Sequence, residues 1–138
     1  MNALLLTFVI TSLPLISGFL DQSVGVKGQL LCGNEPLAGT KVKLINHNMI
    51  AFDNDLGHTL TDENGYYEVS GRHDAVFDLD VRLKIYTSCN KGISLCDREI
   101  TLGIPSDFVT RSDGVEKWFN GGKLNMQFKF KDEGSKCL

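Results

Sequence analysis

The segment Leu83 to Pro105, LKIYTSCNKGISLCDREITLGIP, places two cysteines seven positions apart between two runs of strand-forming residues. Val81, Leu83 and Ile85 alternate with Arg82, Lys84 and Tyr86. Ile100, Leu102 and Ile104 form a second run, ended by Pro105, which cannot donate to a ladder. A period of two turns one set of side chains to a core and the other to water. Asn90 to Gly92 supplies the turn between the runs, so the segment reads as a β-hairpin clipped by Cys89 and Cys96.

The same period recurs along the chain, and no window sustains the apolar spacing of three and four that a helix needs. KLNMQFKFK, residues 123 to 131, sends Leu124, Met126, Phe128 and Phe130 one way and Lys123, Lys129 and Lys131 the other. Val42 with Leu44, Val24 with Val26 and Leu30, and Tyr67 with Val69 mark further strands. Turn chemistry falls between them. Gly33, Asn34 and Pro36 follow the first strand, Asn120-Gly121-Gly122 precedes the last, and Asp62-Glu63-Asn64-Gly65 offers the positive φ of a tight hairpin. Ser106 can cap one helical turn reaching Val109. Seven or eight short strands at these intervals predict an all-β fold, an antiparallel two-sheet sandwich.

Residues Ala3 to Gly18 are uncharged and their apolar centre is too short to span a bilayer, so residues 1–18 read as a signal peptide and 19–138 as one domain. Four cysteines behind a signal peptide read as two disulfides in an extracellular protein. Zinc fits poorly, because the separations of 57, 7 and 41 are far from the short ligand spacings of such sites. Of three possible connectivities, Cys89 with Cys96 and Cys32 with Cys137 is expected. The short loop would stabilise by about 2.5 kcal/mol and the long one by nearly 5 on the loop-entropy model. Charge is uneven: residues 19–80 carry net −6 and residues 81–131 net +4. No basic stripe of the kind nucleic acid requires is present.

GQLLCGNEPLAGTKVKL, the TDENGYY turn, the LKIYTSCNKGISLC hairpin, REITLGIP and a terminal Cys together resemble the nematode transthyretin-like family of small secreted proteins. The resemblance spans nearly all of residues 19–138 and implies a transthyretin-type, prealbumin-like sandwich. Where relatives often carry Asp-Pro-Tyr before the LKIY run and an acidic residue with His before the hairpin Cys, this chain has Asp80-Val81-Arg82 and Thr87-Ser88, which makes the outward face more basic. Some relatives bridge phosphatidylserine on dying cells to a phagocyte receptor.

Three functions follow in order. The first is a secreted, non-enzymatic binding module. Arg82, Lys84, Lys123, Lys129 and Lys131 at outward strand positions would present a cationic face, and one of Trp118 and Phe119 beside it would be exposed as an anchor. Its expected partner is an extracellular protein receptor or an anionic membrane surface, with no nucleic acid, no cofactor and no metal; a homodimer is compatible with the sequence. The NKGISL loop is the other place where this hairpin can carry information. The second function is a carrier of a small hydrophobic ligand in an oligomer channel. The third, a hydrolase like the 5-hydroxyisourate enzyme of this fold, lacks that enzyme's C-terminal Tyr-Arg-Gly-Ser and offers only His47, His58 and His73 in predicted loops. Asp53-Asn54-Asp55 and Asp74, Asp78 and Asp80 do not keep the spacing of a calcium loop and read as turns.

Overall fold

The computed structural model describes residues 20–137, so the expected signal peptide lies outside the described residues. The alternating runs form β1 (Asp21–Cys32), β2 (Glu35–Pro36), β3 (Lys41–Asn46), β4 (Asn54–Leu60), β5 (Tyr66–Asp74), β6 (Val81–Thr87), β7 (Asp97–Gly103), β8 (Trp118–Asn125) and β9 (Glu133–Lys136). They make two sheets, as the sequence predicts. In one, β1 pairs antiparallel with β5 from Asp21↔Asp74 to Gln29↔Tyr66, with β2 at its C-terminal end, and runs parallel to β8. The other has the order β4-β3-β6-β7-β9 and is antiparallel throughout. The parallel β1–β8 pair is the one departure from an antiparallel sandwich.

Between the sheets Val24, Val26, Leu30, Tyr67 and Val69 face Val42, Leu44, Leu83, Ile85 and Ile100, all almost fully buried. These are the inward sets that the alternation predicts. Buried Gln22 is satisfied in full. Its amide donates to the carbonyls of Ala75 and Phe77, at 2.9 and 2.8 Å, and accepts from the Leu79 N–H at 3.0 Å, which ties the β5–β6 connection to β1. Among the described residues no helix is long and apolar enough to cross a membrane.

Several local expectations are corrected. Residues 123–131 are not one strand. β8 stops at Asn125, whose side-chain carbonyl accepts from Gly33 N–H at 2.9 Å and from Gln127 N–H at 3.0 Å, replacing the ladder with a turn. Met126, Leu124 and Phe130 still pack on the core, whereas Phe128 is 68% exposed. Asn120-Gly121-Gly122 lies inside β8, at the point where the ladder skips between Lys27 and Gln29. The Asp62–Gly65 turn is not a hairpin but a corner, joining β4 in one sheet to β5 in the other. Gly65 takes φ +81°, and the Asp62 carboxylate accepts from Asn64 N–H and Tyr66 N–H, both at 2.9 Å. A 3-10 turn does form at Ser106–Phe108, but Pro105 occupies its cap position and no side chain caps it.

The disulfides are also re-paired: Cys32 joins Cys89 and Cys96 joins Cys137. The β6–β7 hairpin exists, and its last pair is Thr87↔Arg98. Continued outward, that register would set residue 89 opposite 96. It stops instead because the Thr87 hydroxyl accepts from Cys89 N–H at 3.0 Å and Asn90 adopts φ +56°, which leaves Cys89 buried against the end of β1. Cys96 and Cys137 then extend the β7–β9 ladder by one step beyond Asp97↔Lys136. One bridge therefore ties the two sheets together and the other fixes the edge strand β9.

Candidate functional site

The seven residues expected to form a binding face fall in three places. Arg82 and Lys84 point outward from β6 in the five-stranded sheet, and each has a partner. Arg82 Nη2 lies 3.1 Å from Asp80 Oδ2, and Lys84 Nζ lies 2.7 Å from Glu99 Oε1, a hydrogen bond that raises the lysine's pKa. They share a recess of about 280 Å³ with His47, Asp53, Glu99 and Asp132, so both signs of charge meet there. Lys123 belongs to the other sheet, with Trp118 and Phe119 on the same strand. Trp118 lies flat over Gly25 and is 38% exposed, while Phe119 faces in and meets Phe108 edge to face at 4.9 Å. One aromatic out and one in is what alternation requires. Lys129 and Lys131 sit in the loop between β8 and β9, since the strand expected there has ended. The seven do not form a single cationic face.

What the fold brings together is one end of the sandwich. The β6–β7 loop and the loop after β8 meet there, joined by Asn90 Nδ2 donating to the Gln127 carbonyl at 2.9 Å. Arg98 fastens both from beneath. Its guanidinium donates to the carbonyls of Cys89, Met126 and Phe128 and pairs with Glu133, whose pKa it lowers. Both disulfides flank this cluster. From so constrained a base project Ile93 and Leu95, fully exposed, and Phe128. Lys91 and Lys129, in the same two loops, line a shallow recess of about 250 Å³ with Asn90, Arg98 and Glu133. Lys91 makes a 3.7 Å ion pair with Asp97. Sequence reasoning reached Lys129 and the NKGISL loop but missed Arg98 and the exposure of Phe128. The readable signal was the pair of large apolar residues in a loop that carries a Gly at positive φ.

At the opposite end the aspartates each have a basic neighbour: Asp53 lies near His47, Asp78 pairs with Arg111 and Asp80 with Arg82. The β3–β4 and β5–β6 connections meet there, with His47 N–H donating to the Asp80 carbonyl at 2.8 Å and the Asn46 side chain accepting from Asp80 N–H at 2.9 Å. Met49, Ile50, Phe52 and Phe77 are exposed among Asp53, Asp78 and Asp80. The Asp53 pKa is lowered, chiefly by the hydrogen bond from Asn48 N–H.

The three histidines are not brought together. His47 follows β3 and lies 3.2 Å from Asp53, His58 on β4 lies 3.8 Å from Asp55, and His73 is on the other sheet opposite Gln22.

Residues 27–105 match the model of a family described as the transthyretin-like family. Among curated proteins the chain is 40% identical over 125 residues to transthyretin-like protein 33 of Caenorhabditis elegans, covering 85% of this chain and 82% of that one. It is 35% identical over 136 residues to transthyretin-like protein 5 of the same organism, covering 98% and 96%. A solved 9R-lipoxygenase from Cyanothece PCC8801 aligns with TM-score 0.46 and 20% identity over 77% of this chain and 17% of that one.

Proposed function

The chain belongs to the transthyretin-like family, and we propose that it is an extracellular, non-enzymatic binding module whose disulfide-pinned end docks on anionic membrane. The observation that carries this reading is the exposure of Ile93, Leu95 and Phe128 in two joined loops that also carry Lys91 and Lys129. Each apolar side chain is worth about 1.5–3 kcal/mol if fully buried, and each lysine about 1 kcal/mol beside an anionic leaflet. Together the two terms give reversible binding that depends on both apolar insertion and charge. Because the end is fixed by two disulfides and Arg98, little ordering entropy opposes docking.

Phosphatidylserine is the anionic lipid proposed, in line with the bridging role that the resemblance implies. The end with Met49, Ile50, Phe52 and Phe77 lies opposite and stays free for a protein receptor. Vesicles of phosphatidylcholine with and without phosphatidylserine test the reading by co-sedimentation. Binding should require phosphatidylserine, weaken with salt, and fall at least about tenfold when Ile93 and Leu95 are both changed to Ser. No binding at low salt, or equal binding to both vesicles, would refute it.

A further inference from the structure

A second concave surface lies on the outer face of the sheet formed by β1, β5 and β8, toward the Cys32 end of β1. It is a groove of about 610 Å³, within the range of small-molecule sites, and exists because the β1–β8 ladder is irregular at Gly28 and Gly122. Side chains of Lys27, Gln29, Tyr66, Glu68, Asn120 and Lys123 surround it, with Asp62 at one end. The two lysines and two carboxylates cancel, so the groove selects no charge.

Its polar groups are held in place. Gln29 donates through Nε2 to the Asn64 carbonyl at 2.8 Å, which leaves its Oε1 as an acceptor; Asn120 Oδ1 accepts from Gly122 N–H at 2.9 Å, which leaves its Nδ2 as a donor. Tyr66 is half exposed and supplies an aromatic surface. Tyr67, also part of the lining, is 4% exposed, and its hydroxyl has no hydrogen-bond partner among the described residues. That hydroxyl occupies the space that a Cβ at Gly28 or Gly121 would need, at 2.7 and 2.8 Å. Gly28 is the residue opposite Tyr67 and both turn to the core, so this hydroxyl lies beneath the floor of the groove.

We propose that this groove binds a neutral oligosaccharide, with the sugar's C–H face against Tyr66 and its hydroxyls on Gln29, Asn120 and the charged side chains of Lys27, Glu68 and Lys123. A ligand of this class needs donors and acceptors of both kinds, an aromatic surface and no net charge, and the groove offers all of these. An anionic ligand would meet Asp62 and Glu68, and an apolar one would strand the amides.

The test titrates the full disulfide-bonded protein with neutral tri- and tetrasaccharides of glucose and N-acetylglucosamine at millimolar concentrations, following amide resonances by NMR. Soluble phosphoserine and phosphocholine serve as comparison ligands. Saturable shifts confined to residues 27–29, 66–68 and 120–123 are expected with at least one saccharide. Tyr66→Ala should weaken that binding about tenfold. Tyr67→Phe, which deletes a hydroxyl beneath the groove floor, should leave that binding within about twofold while unfolding at the same or higher denaturant concentration. No binding by any of these saccharides, shifts elsewhere on the surface, unchanged affinity in Tyr66→Ala, or binding of the charged headgroups alone would each overturn the proposal. None of these results bears on vesicle binding by the apolar loops.

Discussion

Arg98 grips Glu133 with two hydrogen bonds, Nη2 to Oε1 at 2.6 Å and Nε to Oε2 at 3.2 Å, and so joins β7 to the edge strand β9 beneath the apolar end. Both side chains are largely buried, at 10% and 15% exposure, and the other Arg98 donors go to three backbone carbonyls. Removing the guanidinium leaves a carboxylate and those carbonyls without partners. Arg98→Met should therefore destabilise the fold by about 3–5 kcal/mol in urea unfolding. Arg98→Lys should recover only part of this, since an ammonium cannot reproduce the planar fork. A loss under about 1 kcal/mol would show that the network is not what orders this end.

The same pair sets an acid limit. The hydrogen bond from Arg98 holds the Glu133 pKa below its ordinary value of 4.5. A carboxylate with a lowered folded-state pKa contributes stability that is complete above the unfolded value and is lost as pH falls through the folded one. The stability difference between the native chain and Glu133→Gln should be flat above about pH 5.5 and shrink as acid is added. A gap that widens below pH 4.5 would contradict the assignment.

The hairpin was legible because its four alternating core residues and its turn are close in sequence, so that local pattern and tertiary packing agree. The disulfide pairing was not, because it depends on where the β6–β7 ladder stops. Asn90 in a left-handed conformation and the Thr87 hydroxyl decide that, and neither leaves a mark in the spacing of the cysteines. The alternation in residues 123–131 correctly gave the inward turn of Met126 and misled on backbone structure, since one Asn side chain at 125 competes with the ladder. Arg82 and Lys84 were legible as outward strand positions. Their neutralisation was not, because Glu99 reaches Lys84 across a strand pair, Lys84↔Thr101, whose register only the folded sheet reveals.

Connectivity itself can be checked. Proteolysis of the unreduced protein should yield one linked fragment pair containing Cys32 and Cys89 and another containing Cys96 and Cys137, separable by mass spectrometry after cleavage within the β6–β7 loop. The two bridges close separations of 57 and 41 residues. The loops do not overlap, so each contributes about 4 kcal/mol on the loop-entropy model and the contributions add. Replacing either pair by Ala should lower stability by a similar amount. A Cys89–Cys96 fragment would reverse the account of this end given above.

Charge substitutions separate the end of the sandwich from the face of its five-stranded sheet. Lys129 stands at the recess beside Lys91, next to the exposed apolar side chains, whereas Arg82 and Lys84 are already paired with Asp80 and Glu99. Beside an anionic leaflet one lysine is worth about 1 kcal/mol, so Lys129→Gln should lower affinity for phosphatidylserine vesicles about fivefold. The paired cations face away from the docked end, and at physiological salt charges beyond about 8 Å are largely screened. Arg82→Gln with Lys84→Gln should therefore change vesicle affinity by less than about twofold. If that double variant loses binding and Lys129→Gln keeps it, the sheet face and not the disulfide-pinned end is the surface that meets the membrane.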